Sequence, residues 1–233
     1  MLLLACIMTA SLTRAGDMIK TEIVTLSLKG KVGPYYYVDK DGVKELPVSR
    51  HGIGSPIRYH GSTTLGLYLD KPSSSALKDK KHSLPQPDLQ VRLSNKTGRV
   101  ILLFSQRIAN QDKTKTTTVR PFFLSNKTSS KGDYLVFNLS KRDVYISLDK
   151  KRKQIKPMKQ SILSSPAWKK QAGDLQIALG QKQNKKIKSV YNSVWGHRPS
   201  QRAILFVYDR GGKKGGLGIR RYYDHPSNAQ ASR

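Results

Sequence analysis

Cysteine is almost missing from this 233-residue chain: Cys6 is the only one, and it stands in an N-terminal apolar stretch. The body of the protein therefore has no thiols for a disulfide framework or a thiolate metal site. Glutamate is nearly as scarce, at Glu22 and Glu45 only, while Val, Ile, Thr and Tyr are plentiful. That balance starves helices and feeds strands. The five histidines, 51, 60, 82, 197 and 225, form no pair at i, i+2 or i, i+4 that would offer two nitrogens to one ion, and no metal site is expected. The 15 acidic residues are scattered, many at turns, so no paired carboxylates for general acid–base work stand out. Gly52-Ile53-Gly54-Ser55 lacks the strand–Ser–helix context of a nucleophile elbow. The glycines at 211–216 enclose Lys213 and Lys214 but carry no G-K-[ST] and precede no predicted helix, so they make no phosphate-binding P-loop. No enzyme and no cofactor are expected.

What the chain has in excess is positive charge. The formal net charge is +28. Residues 1–116 hold 18 Lys+Arg against 9 acids, and residues 117–233 hold 25 against 6. A surplus of this size favours polyanionic partners: nucleic acid, lipopolysaccharide, acidic polysaccharide or anionic lipid. The plain alternative is a solvated surface tuned for solubility.

Residues 1–15, MLLLACIMTASLTRA, begin with an apolar run too short to span a bilayer. With Thr13-Arg14-Ala15 before Gly16, they match the apolar core and cleavage site of a secretory signal peptide without its positive n-region. An ordinary N-terminal strand is the other reading. Leu3-Leu4-Ala5-Cys6 has too little apolar sequence before it for a lipobox.

From residue 19 onward, short apolar or alternating segments recur every 8–12 residues between turn signals, and no stretch has helical periodicity. They include Ile19–Lys29, Pro34–Val38, a hairpin at Asp41-Gly42 into Val43–Val48, Ile57–His60, Thr63–Leu69, Leu89–Leu93, Val100–Ser105 and Val119–Leu124. The centre of the pattern is a β-meander over residues 132–165, with strands Tyr134–Phe137 and Val144–Leu148. Leu175–Leu179, Val190–Trp195, Ala203–Tyr208 and Leu217–Tyr223 follow, with Gly173-Asp174 expected as a turn. The spacing predicts an all-β chain: two β-sandwich domains of immunoglobulin size, or one larger sandwich. The domains expected are 16–105 and 117–225, joined by a polar linker 106–116 and ending in a flexible tail, 226–233.

The basic residues expected to be most exposed are Lys150, Lys151, Arg152 and Lys153 in a charged turn of the meander, Lys185 and Lys186, and Lys213 and Lys214 at a hairpin tip. They are the candidate anion-binding residues. The first four also resemble a nuclear-localisation cluster, but no RNP pattern, zinc ligand set or basic amphipathic helix supports nucleic acid as the partner. Asn95, Asn126 and Asn138 satisfy N-x-[ST] by chance in a Ser/Thr/Asn-rich chain.

Tyr134–Ser140 (YLVFNLS), Val144–Leu148, the Ile155-Lys156-Pro157 turn, Tyr191–Trp195 (YNSVW) and Arg202–Val207 (RAILFV) resemble a group of exported bacterial β-sandwich proteins with no assigned activity. The resemblance covers residues 119–224 and departs in this chain's exceptional lysine content. It implies export and an all-β fold, and no functional residue.

The expectation is a non-enzymatic binding or structural module, exported to the periplasm or cell envelope of a bacterium. It would engage an anionic polymer or acidic protein partner through its basic C-terminal half. The alternative is an intracellular nucleic-acid-binding protein.

Overall fold

The computed structural model describes residues 18–73, 84–94, 98–108, 115–124, 129–183, 186–210 and 216–225. The expected signal peptide lies outside them. Among the described residues, sixteen strands and one short helix make an all-β fold, and the chain divides into two compact units. One takes the chain to Arg50 and Gly54–Phe123; the other takes His51–Ile53 and everything from Leu124 on.

In the first unit, β1 (Met18–Lys29) and β7 (Arg99–Ile108) pair in parallel. β4 (Ile57–Ser62) and β8 (Lys115–Leu124) flank them in the order β4-β1-β7-β8. Residues 106–108 and 115–116 of the expected linker thus stand in strands, and β8 completes the first unit's sheet. Two hairpins, β2–β3 (Tyr35–Asp39, Gly42–Leu46) and β5–β6 (Thr64–Leu67, Leu89–Arg92), are joined by a bridge between Tyr36 and Tyr68. The β2–β3 turn falls at Lys40-Asp41, one residue before the expected position, because the Asp39 carboxylate accepts from the Asp41 N–H (2.9 Å) and from Lys44 (2.7 Å). The core gathers alternating residues such as Ile23, Tyr37, Leu65, Val100 and Phe104, with Tyr35 stacked on Phe104 at 5.4 Å.

The second unit is a sandwich of two four-stranded sheets. One runs β11-β10-β13-β14 (Lys151–Ile155, Val144–Leu148, Gly173–Gln183, Lys186–His197), all antiparallel. The other runs β12-β9-β15-β16 (Gln160–Leu163, Tyr134–Asn138, Arg202–Asp209, Leu217–Asp224), with β9 and β15 parallel. Val136, Leu205 and Val207 from one sheet meet Ile146, Leu148, Ile177 and Leu179 from the other.

Three sequence expectations need correction here. Gly173 and Asp174 open β13 rather than form a turn, paired with His197 and Gly196. A helix does occur: Pro166–Lys170 (α1), started by a proline at its first turn and held by the buried Trp168. And the basic run is not all turn. Asp149-Lys150 is a two-residue hairpin loop, with Asp149 at φ +48, a conformation aspartate tolerates. Lys151–Ile155 is then a strand, with no help from its own propensities. It is held by its ladder to β10, by the burial of Ile155 opposite Val144, and by the Asn138 amide donating to the Ile155 carbonyl at 2.8 Å.

Candidate anion-binding site

The register of the β11-β10-β13-β14 sheet decides where its charges go. Ile146, Leu148, Ile177 and Leu179 face the core. Their alternates, Tyr145, Ser147, Ala178 and Gly180, therefore face away, since side chains switch faces at every residue. Directly opposite residues share a face, so Arg152 and Gln154 stand beside Ser147 and Tyr145 on that outer side. Lys151 and Lys153 stand on the other side, opposite Leu148 and Ile146, yet exposed because β11 is the sheet's edge.

At the far end of β13 and β14 the strands run beyond β10. Their last pairs carry Lys182, Lys186 and Lys188, all exposed. Val190 is an extra residue in the ladder, between the pairs Leu179–Tyr191 and Gly180–Ser189, and a bulge of this kind bends and twists its strand. Beside it, Ile187 lies across Gly180 so closely that a Cβ at position 180 would sit 2.6 Å from its Cγ2. Any larger residue there would have to displace Ile187. The result is a shallow depression of about 420 Å³ on the outer face. Its floor is Ser147, Ala178 and Gly180, Tyr145, Arg152 and Gln154 stand on one side, and Ile187 on the other.

Five of this unit's six acids have hydrogen-bond or ion-pair partners, Asp143 and Asp149 at this sheet itself. Asp133 accepts from Ser130 and Ser164 and pairs with Lys169 at 3.5 Å. Asp209 pairs with Arg142 at 3.2 Å and accepts the Lys141 N–H. Asp224 pairs with Arg202 in the interior. Asp143 accepts from Gln154 (2.7 Å), and Asp149 accepts the Gln176 N–H (2.8 Å). Each of these carboxylates is consumed in holding turns, loops and strand ends. Among the described residues, no carboxylate forms an ion pair with a basic side chain of Lys150–Lys153 or of the β13–β14 tip. Their charge is left to solvent and mobile counterions.

The structure thus places Lys150 in the hairpin loop, Lys151, Arg152 and Lys153 on an edge strand, and Lys186 at the tip of the same sheet. Lys185, Lys213 and Lys214 lie outside the described residues. Sequence reasoning passed over Lys182 and Lys188, whose spacing in a strand-forming stretch was the available signal. It also passed over the small residues Ala178 and Gly180, which look unremarkable without the ladder.

Two of the histidines stand in strands. His60 lies in β4, and His197 ends β14, buried. One His197 ring nitrogen meets the Tyr134 hydroxyl at 2.9 Å and the other reaches the Trp168 carbonyl at 2.5 Å. Both nitrogens are spent on packing α1 against the sandwich. Among the described residues no three His, Cys, Asp or Glu side chains converge as metal ligands, and no helix is long and apolar enough to cross a membrane.

On the open side of the sandwich, between edge strands β14 and β16, a ladder of rings and guanidinium groups closes the gap. Arg221 lies over Trp195 (4.4 Å) and Tyr223 (5.1 Å), Arg198 lies over Tyr223 (4.9 Å), and the Trp195 indole N–H donates to the Tyr191 hydroxyl. Arg221 and Tyr223 also donate to the Gly196 carbonyl, capping that end of the β14 edge.

No protein-family model and no curated protein matches this chain, so its chemistry is read from its own residues.

Proposed function

We propose that the protein is a non-catalytic binding module of the bacterial cell envelope that engages an anionic polymer through the second unit. Export is the reading of residues 1–15. One observation carries the polymer reading: five of the second unit's six acids are engaged in holding its interior, loops and strand ends, while among the described residues no carboxylate forms an ion pair with Lys150–Lys153 or with the lysines of the β13–β14 tip. Charge on β11 also protects an exposed edge from pairing with other strands. That role accounts for the charges on both edge strands, β11 and β14, and leaves Lys182 of β13 unexplained.

The mechanism is electrostatic, with lysines and arginines replacing the counterions of a polyanion. Affinity for polyanions in electrophoretic or calorimetric titrations should fall steeply between low and physiological salt. Glutamine at all four of Lys150, Lys151, Arg152 and Lys153 should weaken binding and leave thermal unfolding unchanged. Binding that is indifferent to salt, or a quadruple variant that binds as the parent does, would sink the mechanism. Tighter, salt-sensitive binding to single-stranded nucleic acid than to any envelope polymer would transfer the reading to an intracellular nucleic-acid-binding protein.

A further inference from the structure

We infer that the depression on the outer face of the β11-β10-β13-β14 sheet is a subsite for an acidic polysaccharide, seating a pyranose ring on its apolar floor with the sugar's carboxylate on Arg152. This rests on the polyanion reading above and goes further, naming the polymer's chemistry and where it lies.

Four features point to it. The depression, at about 420 Å³, falls in the size range of small-ligand clefts, roughly 300–1,000 Å³. Its floor is built of Ser147 and Ala178, with Ile187 lying over Gly180, so a flat ring can approach the sheet backbone at Ala178. Pyranose rings present C–H groups on their faces, and the aliphatic floor, Ile187 and the ring of Tyr145 match them. Arg152 stands at the margin with no ion pair among the described residues, and a guanidinium grips a carboxylate with two parallel N–H bonds where a lysine gives one point of charge. Finally, Lys182 shares the outer face with Gly180 and Arg152, by alternation and register. It stands four ladder positions from Arg152, or about 13 Å along the strands. A polymer with repeated carboxylates meets cations at both ends of the depression; a monosaccharide meets one.

The same features disfavour the other polyanions. Single-stranded nucleic acid is held by successive aromatic platforms, and Tyr145 is the one aromatic ring lining the depression. An acidic peptide adding to the β11 edge as a strand would leave the floor of the depression and Tyr145 without a role.

The test uses the full chain titrated calorimetrically at low salt with three polymers: polygalacturonate, its fully methyl-esterified form, and a single-stranded oligonucleotide. Polygalacturonate should bind and the ester should not. Tyr145→Ala and Ala178→Leu should each weaken polygalacturonate binding about tenfold or more, the loss expected when a central contact of a site is removed or blocked. Arg152→Lys, which preserves charge, should weaken it by about fivefold through loss of the fork. Far-UV circular dichroism and the unfolding midpoint identify any variant that has lost its fold; Arg152→Lys, on an exposed edge, decides the question if the others have. If all three variants bind polygalacturonate as the parent does while the quadruple glutamine variant does not, the depression is no subsite and the basic edge alone binds. If the oligonucleotide outbinds polygalacturonate and the depression variants weaken it, the ligand class is overturned. If neither polymer binds, this inference and the polyanion reading fall together.

Discussion

Arg202 and Asp224 face each other in register across β15 and β16, and their side chains close into an ion pair that is almost wholly shut off from solvent. The guanidinium also donates to the Ser129 hydroxyl at 2.9 Å and its carbonyl at 3.2 Å, tying the chain that enters β9 to the last strand. A buried pair of this kind adds little net stability compared with apolar residues, but half of it is costly to leave behind.

Asp224→Asn should therefore lower the unfolding free energy by about 3–5 kcal/mol, because it strands the Arg202 charge. The double variant Arg202→Met/Asp224→Leu should lose much less. Urea denaturation of both gives the comparison. A loss below about 1 kcal/mol in Asp224→Asn, the range of exposed pairs, would mean that water reaches the pair.

Asn138 is fully buried and uses both ends of its amide. It donates to the Arg142 and Ile155 carbonyls, each at 2.8 Å, and accepts from the Ser140 N–H and hydroxyl. Asn138→Ala takes this partner from the Ile155 carbonyl and the Ser140 N–H, at about 1–3 kcal/mol each where water cannot enter, while the Arg142 carbonyl keeps the Ser140 hydroxyl at 3.0 Å. The expected total is about 3 kcal/mol or more, with β11 released first because Ile155 loses its tether. Hydrogen exchange should show Lys151–Ile155 deprotected well ahead of β15. Uniform protection across the sandwich would contradict this.

Alkali should unfold the protein through its tyrosines. Burial, followed by the nearby charge of Asp39, pushes the Tyr59 hydroxyl up to about 12, and burial raises Tyr134 as well. The folded state holds these protons that the unfolded chain releases near pH 10. Stability is thus untouched below pH 10 and declines as the pH climbs from there through about 12, by about 3 kcal/mol for Tyr59 alone. Absorbance at the phenolate band and far-UV circular dichroism should change together. Tyrosine ionisation complete near pH 10 with the fold intact would refute it.

The Arg221 guanidinium over Trp195 should be visible in fluorescence. In a Trp168→Phe background, Arg221→Ala should shift Trp195 emission to the red and cost about 1 kcal/mol, with Arg221→Lys intermediate. Unchanged emission in Arg221→Ala would show that the indole does not depend on its cover.

The legible parts of the fold were those where a strand's own residues carry the signal. Tyr134–Asn138, Val144–Leu148 and Arg202–Asp209 are β-branched, aromatic or leucine-rich and were placed within a residue or two. β11 was hidden because Lys-Arg-Lys-Gln has no alternation: its strand state comes from a partner and a two-residue loop, which no local window reports. β12 and α1 were missed for a similar reason, the one held by β9 and the other by the burial of a single tryptophan. At the site, Lys150–Lys153 and Lys186 stood out in the sequence as basic residues, and Lys182 and Lys188 did not. Their common sheet, the glycine under Ile187 and the commitment of the acids were not, since all three depend on pairing between distant segments.

The two parallel pairings, β1 with β7 and β9 with β15, set the order in which a growing chain can close. Glu22 must wait for Arg99, 77 residues later, and Arg202 reaches back 73 residues to Ser129. At translation rates of about 5–20 residues per second, β1 stays without its central partner for about 4–15 s after it emerges. A nascent chain of this protein is therefore a long-lived client for whatever shields unpaired strands, and one that stalls before β15 cannot complete its second sandwich.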